Sequence, residues 1–154
     1  MAKRFTWRLD SVRKARERHE DLKKQALGEA QGAQNIEEGK LSDLQNHKQG
    51  QTDRLRSNQS GKLNPRDLQA AHEYISDLDK KIEEQQERVD QAKQVTEDRH
   101  ENLVKAVQEN KVLENLRTRD HASFKKEGRR REQAESDETA NRTAHRSRQE
   151  NSEP

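Results

Sequence analysis

Apolar and small residues recur every three or four positions in the second half of the chain. Ten of them keep this spacing almost without interruption: Leu68, Ala71, Ile75, Leu78, Ile82, Val89, Ala92, Leu103, Ala106 and Leu113. Because a helix completes a turn in about 3.6 residues, this spacing places them on one narrow stripe. A stripe of this length predicts a long helix that pairs with another helix along a coiled-coil seam.

The same repeat also places polar residues inside the predicted seam. Gln85, Thr96, Arg99 and Asn110 fall at inward positions. Because each buried polar group needs its own partner, these residues weaken the pair but penalise shifted registers. A second group of apolar residues widens the stripe, which indicates either the drift of a straight helix or a further packing surface. This group consists of Val95, Val104, Val107, Val112 and Leu116.

The first half of the chain predicts another long helix, with a less regular pattern. Its apolar stripe consists of Leu9, Val12, Ala15, Leu22, Ala26 and Ala33. Leu41 and Leu44 fall outside the heptad phase of this stripe, so we expect the seam to drift there. Glycines at positions 28, 32, 39 and 50 each cost on the order of 1 kcal/mol in a helix interior. This helix is therefore expected to be the more easily bent of the two.

A cluster of turn-forming residues lies between the two halves. Asn64 suits a helix N-cap, and Pro65 suits the first helical position, where its missing N–H costs nothing. Two arms of similar length around one turn favour an all-α fold, an antiparallel two-stranded coiled-coil hairpin within one chain. The alternative is a parallel homodimer of continuous helices, which would carry Gly61 and Pro65 at a cost of roughly 3 to 4 kcal/mol per chain. The predicted segments are an N-terminal arm 1–7, helix one 8–56, the turn 57–64, helix two 65–125 and a tail 126–154.

The composition fits long helices and disfavours a compact globular core. Of the 154 residues, 40% are charged and only 25% are hydrophobic, which is too few apolar side chains to enclose a core. No large apolar residue follows Phe124. Because the C-terminal tail has nothing to bury, we expect it to be disordered.

Catalytic and metal-binding chemistry is not indicated by the residues present. The six histidines are never three or four positions apart, so no helical face offers two imidazoles to a metal ion. There is no cysteine and no apolar run of the length of a signal peptide or a membrane span. We therefore expect a cytoplasmic protein that is not an enzyme, with no catalytic residue, no metal site and no cofactor.

The N-terminal segment is the first candidate binding site. Phe5, Trp7, Leu9 and Arg13 lie within or next to a basic run. In the predicted hairpin they lie near apolar residues late in helix two, namely Leu113, Leu116 and Phe124. This cluster either binds a partner or only caps the coiled coil. A basic stretch also suits nucleic acid or an anionic membrane, but the many balancing acids make both of these minor alternatives.

The segment around Tyr74 is the second candidate binding site. Ile75 and Leu78 belong to the seam, whereas Tyr74, the single tyrosine of the chain, lies one position away from it. Packing is the simpler interpretation. An isolated aromatic side chain on the flank of a charged rod is also a residue type that anchors a partner.

Three segments together resemble the flagellar export protein FliJ family, which includes the stalk proteins of type III secretion. Residues 5–16 resemble the family's aromatic-x-aromatic-Arg-Leu start, and residues 73–82 resemble its aromatic-Ile-x-x-Leu-x-x-x-Ile motif. Residues 99–103 and 111–116 resemble its closing helix. The resemblance spans about residues 5 to 120.

This resemblance implies a hairpin similar to the central stalk of rotary ATPases, needed for flagellum assembly and motility. The end that bears the termini would bind the hexameric export ATPase ring, through Phe5, Trp7, Leu9, Arg13, Leu113 and Leu116. The side near the turn would bind the cytoplasmic domain of the membrane export gate, through Tyr74, Ile75, Leu78 and Lys81, the last in place of a small residue of the family motif. Export chaperones are further implied partners. The protein would be peripheral on the cytoplasmic side of the cell membrane through these partners, and no nucleic acid is expected to bind.

Two other functions are compatible with the same pattern. An injectisome stalk would share the fold and the mode of action, and a generic coiled-coil tether would self-associate without stimulating an ATPase. The FliJ-like start favours the flagellum over the injectisome.

Overall fold

The computed structural model describes residues 3–58, 61 and 64–152, and these form two long helices without strands. Helix α1 spans Asp10–Asn58 and helix α2 spans Pro65–Glu150. The predicted all-α fold is confirmed, and α2 starts at the predicted residue. Four residues of the predicted turn, Gln59, Ser60, Lys62 and Leu63, lie outside the described residues. So do residues 1–2 of the predicted arm and 153–154 of the predicted tail.

Local hydrogen bonds explain where the two helices begin. The side-chain oxygen of Asn64 accepts the Arg66 N–H at 3.2 Å, and its main-chain oxygen accepts the Leu68 N–H at 3.1 Å. This is the predicted N-cap, with Pro65 as the first helical residue. At the start of α1 the Leu9 carbonyl accepts the Arg13 N–H at 2.9 Å. Helix α1 therefore begins two residues later than predicted and also ends two residues later, at Asn58.

The C-terminal segment differs from the predicted disordered tail, because α2 continues through it to Glu150. Side chains from residue 129 to residue 150 are all exposed, so packing does not hold this part in place. Its residues are mainly good helix formers, and no proline occurs between positions 66 and 153. Pairs four residues apart add support, such as Arg142 with Glu138 at 2.7 Å and Gln133 with Asp137 at 3.0 Å.

The chain divides into two compact units, which we call the terminal unit and the central unit. The terminal unit contains the described residues of Met1–Arg18 and Gln108–Pro154, and the central unit contains those of His19–Val107. Within the terminal unit, Trp7 contacts Asp120 and Arg16 contacts Glu109. Arg16 follows Trp7 in the chain, whereas its partner Glu109 precedes Asp120, the partner of Trp7. The N-terminal segment with the start of α1 therefore runs antiparallel to α2, as predicted.

The central unit shows the same antiparallel arrangement. Glu37 of α1 meets Gln85 of α2, and His47 lies against Tyr74 nearer the turn. On α2 the predicted seam is confirmed, since Leu78, Val89 and Ala106 are buried and the other apolar seam residues of this unit are half-buried.

Gln85 is also buried and spans the seam, donating to the carboxylate of Glu37 at 2.5 Å and to its main-chain oxygen at 3.0 Å. The inward position predicted for this residue is therefore correct. Arg99 was also expected to point inward, and it is exposed. Its long charged side chain would lose hydration in the seam without a partner.

The seam predicted for helix one is wrong for four of its six residues, whereas Leu9 and Ala26 are half-buried. Val12, Ala15, Leu22 and Ala33 of the predicted stripe are exposed. In the central unit the half-buried residues of α1 instead include an unbroken three-four repeat, which is Glu20, Lys23, Leu27, Ala30, Gln34, Glu37, Leu41, Leu44, Lys48, Gln51 and Leu55. Leu41 and Leu44 therefore lie in phase with the true seam. Polar residues occupy many of its positions, which is why an apolar pattern identified a different face.

Candidate functional site

The N-terminal segment of the terminal unit packs onto α2 through its aromatic side chains. Trp7 is only 7% exposed, and its indole Nε1–H donates a hydrogen bond to Asp120 Oδ2 at 2.8 Å. The Phe5 ring lies edge-on to His121, with centroids 5.0 Å apart, and tilted against Phe124 at 5.3 Å. A buried indole usually needs an acceptor for its N–H, and Asp120 supplies one here. This geometry fixes residues 5–7 against the second helix.

The remaining residues of the first candidate site are less buried. Leu9 is half-buried at the start of α1, and Leu113 and Leu116 are half-buried on α2. The structure thus brings Phe5 and Trp7 to α2 as expected and leaves part of each leucine accessible. The sequence reasoning missed Asp120 and His121, although a lone tryptophan in a helical pair signals that a polar acceptor lies nearby.

Arg13 is held by carboxylates of its own helix. Its guanidinium bonds Asp10 at 2.8 and 3.0 Å and Glu17 at 2.9 Å. The hydrogen bond from Arg13 lowers the pKa of the Asp10 carboxyl below its usual value, and the same bond raises the pKa of Arg13. An ion pair between Arg16 and Glu109, at 2.6 Å, joins α1 to α2 in this unit. Most of the donors of Arg13 are therefore engaged within the chain.

The second candidate site lies in the central unit and separates into exposed and buried residues. Tyr74 is 44% exposed and Lys81 is also exposed. Ile75 is half-buried, and Leu78 is only 3% exposed because it lies in the seam against α1. Tyr74 and Lys81 are one heptad apart on the same flank of α2, so they present a common surface.

A residue of α1 completes the surroundings of Tyr74. The His47 imidazole lies 2.6 Å from the tyrosine hydroxyl through Nε2, and the two rings meet edge to face with centroids 5.8 Å apart. Close by, Lys48 of α1 forms an ion pair with Asp79 of α2. The sequence reasoning did not identify His47, because the pairing register that brings it to Tyr74 depends on the true seam of α1.

The described residues contain no cluster of three or more potential metal ligands. In the same part of the chain, no helix combines the length and apolar character needed to cross a bilayer.

Comparison with known proteins agrees with the two long helices and the motifs that they carry. No curated protein and no solved structure matches the chain. A protein-family model described as "Flagellar FliJ protein" matches residues 5–149. This range includes the aromatic start, the Tyr74 segment and nearly all of α2, and the chain therefore belongs to the FliJ family of flagellar proteins.

Proposed function

We propose that this chain is a cytoplasmic stalk of the flagellar protein export apparatus that links the export ATPase to the membrane export gate. The observation that carries this proposal is the family match over residues 5–149. The FliJ family implies a stalk role in flagellar export and is not a known enzyme family. In this proposal the chain stimulates hydrolysis by its partner and promotes flagellum assembly and motility.

The terminal unit is the proposed binding site for the hexameric export ATPase ring. Phe5 and Trp7 hold the N-terminal segment on α2, and the neighbouring Lys3, Arg4 and Arg8 are exposed. A fixed aromatic segment loses little conformational entropy on binding, because it is already ordered. The exposed cations offer a basic surface that favours association with an acidic partner surface.

The flank of α2 around Tyr74 is the proposed binding site for the cytoplasmic domain of the export gate. Tyr74 and Lys81 would contact the gate directly, since both are exposed. Ile75 and Leu78 would act from beneath by keeping this part of α2 packed on α1. The division of roles follows from burial, because a side chain that is 3% exposed has almost no surface to offer a partner.

A reciprocal experiment tests both assignments. The chain is added to the purified export ATPase, and hydrolysis is followed; separately, binding to the purified cytoplasmic domain of the gate is measured by calorimetry. Phe5→Ala with Trp7→Ala should reduce stimulation several-fold and spare gate binding. Tyr74→Ala should weaken gate binding about tenfold, as for an anchoring aromatic side chain, and spare stimulation.

Helix content measured by circular dichroism controls for unfolding of either variant. If the unchanged chain neither stimulates the ATPase nor binds the gate, the stalk function is wrong and a generic tether becomes the better explanation. If both variants lose both activities equally while remaining folded, the assignment of the two surfaces is wrong. Export chaperones belong to the same proposal, and binding of the chain to a purified flagellar export chaperone tests that part.

A further inference from the structure

The side chain of Tyr74 is held by a residue of α1 although much of it is open to solvent. The tyrosine is 44% exposed, and an exposed side chain on a helix ordinarily exchanges between rotamers. Here its hydroxyl lies 2.6 Å from Nε2 of His47, and the two rings meet at 85° with centroids 5.8 Å apart. The hydrogen bond fixes the end of the tyrosine and the edge-to-face contact fixes its ring, so the two contacts together select one orientation.

The place of His47 beside the tyrosine depends on the pairing of the two helices. His47 is exposed on α1, while the nearby Leu44 and Lys48 are half-buried on the side of α1 that faces α2. Tyr74 has the equivalent place on α2, next to the half-buried Ile75. The histidine therefore reaches the tyrosine across the edge of the seam, and the contact exists only when α1 and α2 pair in this register.

A Tyr74 side chain that is ordered in advance favours binding through it. Immobilising a side chain at an interface costs free energy, which corresponds to about a two- to tenfold loss of affinity. A partner that contacts Tyr74 while His47 holds it avoids most of this loss. The tyrosine also stays able to form another hydrogen bond. When Nε2 accepts the phenolic O–H, the phenolic oxygen keeps lone pairs for a donor of the partner.

We propose that His47 is a positioning residue of the export-gate surface and holds Tyr74 in the orientation that the gate binds. This inference rests on the proposed function, and it extends the determinants of gate binding from α2 to α1. Because the contact needs both helices, the gate binds α2 paired with α1 in preference to α2 separated from it.

A double-mutant cycle tests whether His47 acts through Tyr74. Binding of the full chain to the purified cytoplasmic domain of the gate is measured by calorimetry. On its own, His47→Ala should weaken binding about two- to tenfold, and it should have no further effect when Tyr74→Ala is already present. His47→Gln should keep binding within about twofold of the unchanged chain, because its amide ends as many bonds from the backbone as Nε2 and can donate or accept a hydrogen bond.

His72→Ala is the matched control and should leave gate binding unchanged. His72 is also an exposed histidine, and it lies two residues from Tyr74 on another face of α2. Equal weakening by His47→Ala with and without Tyr74→Ala would show that His47 contacts the gate itself, which would overturn the positioning role. Unchanged binding by His47→Ala alone would overturn it as well.

Nuclear magnetic resonance of the free chain gives a measurement that does not depend on the gate. Tyr74 is the single tyrosine, so isotope labelling of tyrosine shows this ring alone. Nuclear Overhauser effects are expected between its ring and the His47 imidazole, and His47→Ala should move its χ1 couplings towards those of a freely rotating side chain. Unchanged couplings would overturn the proposal. If the couplings change but the unchanged chain does not bind the gate, His47 does position Tyr74, and it is the proposed gate function that is wrong.

Discussion

In the central unit the two helices contribute unequally to the surface between them. Helix α2 places most of its apolar residues in the seam, where Leu78 and Val89 are almost fully buried, although Val95, Val104 and Val107 are exposed. Helix α1 places many polar side chains in the seam, and it leaves Leu22 and Ile36 exposed. Lysine, glutamine and glutamate can cover an apolar neighbour with their methylene groups while their polar ends stay hydrated. A helix pair can thus form with one strongly apolar partner, and the other helix is then free to carry a second surface.

The largest change in the free energy of unfolding is expected at a buried leucine of α2, and a comparison of leucines from the two helices tests it. Leu78→Ala should lower the free energy of unfolding by about 2 to 5 kcal/mol, because it removes buried methyl groups and leaves a cavity. Leu22→Ala, the matched control on α1, should change it by less than about 0.5 kcal/mol, since that leucine is mainly in water. Urea denaturation followed by circular dichroism measures both. Equal losses for the two variants would mean that α1 uses Leu22 in its seam after all.

A smaller effect is expected from the buried polar residue of α2. Gln85→Ala should cost about 1 to 2 kcal/mol, because it removes the hydrogen bonds to Glu37 and some buried side-chain volume. Gln86→Ala is the control, since Gln86 is exposed and donates a hydrogen bond to Asp90 of its own helix. The same denaturation experiment measures the two variants. If Gln85→Ala is as stable as the control, the glutamine does not fix the register.

A third variant would make the seam of α1 resemble that of α2. Gln51→Leu places an apolar side chain at a half-buried heptad position, and it should raise the free energy of unfolding by about 0.5 to 1 kcal/mol through added apolar burial. Gln49→Leu, at an exposed position of the same helix, should give no gain. A gain from Gln49→Leu alone would place the seam of α1 on another face.

The success of sequence reasoning differed between the helices for a physical reason. The seam of α2 was predictable because most of the apolar residues of that helix have the same phase, although Val95, Val104, Val107 and Val112 lie outside it and are exposed. The seam of α1 was not, because the pairing surface uses Lys23, Gln34 and Lys48, and a search for apolar residues therefore selected the face of Leu22 and Ala33. Burial on α1 depends on contact with α2, which a single-helix pattern does not contain.

The pattern of apolar residues also did not predict where α2 ends or which residues of the opposite helix complete the candidate sites. The low apolar content of the tail predicted disorder. Instead, α2 continues to Glu150, and good helix formers together with pairs such as Arg142 with Glu138 support the helix there. Phe5, Trp7 and Tyr74 were identified by their rarity. Their neighbours Asp120 and His47 were not, because both belong to the opposite helix and only the register of the pair brings them near.

The smallest predicted effect concerns the pH dependence of the seam between the two helices. The hydrogen bond from Gln85 lowers the pKa of Glu37 below its usual value of 4.5. A carboxyl whose pKa is lower in the folded state contributes stability that is complete above the unfolded value and is lost as the pH falls through the folded value. The free energy of unfolding should therefore decrease below about pH 4.5, and Glu37→Gln should remove part of that decrease.

Glu83→Gln, at an exposed position of α2, is the control and should retain the full decrease. Urea titrations between pH 7 and pH 3 measure this decrease in the free energy of unfolding. If Glu37→Gln and the unchanged chain respond identically to acid, the Glu37 carboxylate does not contribute to stability through its contact with Gln85.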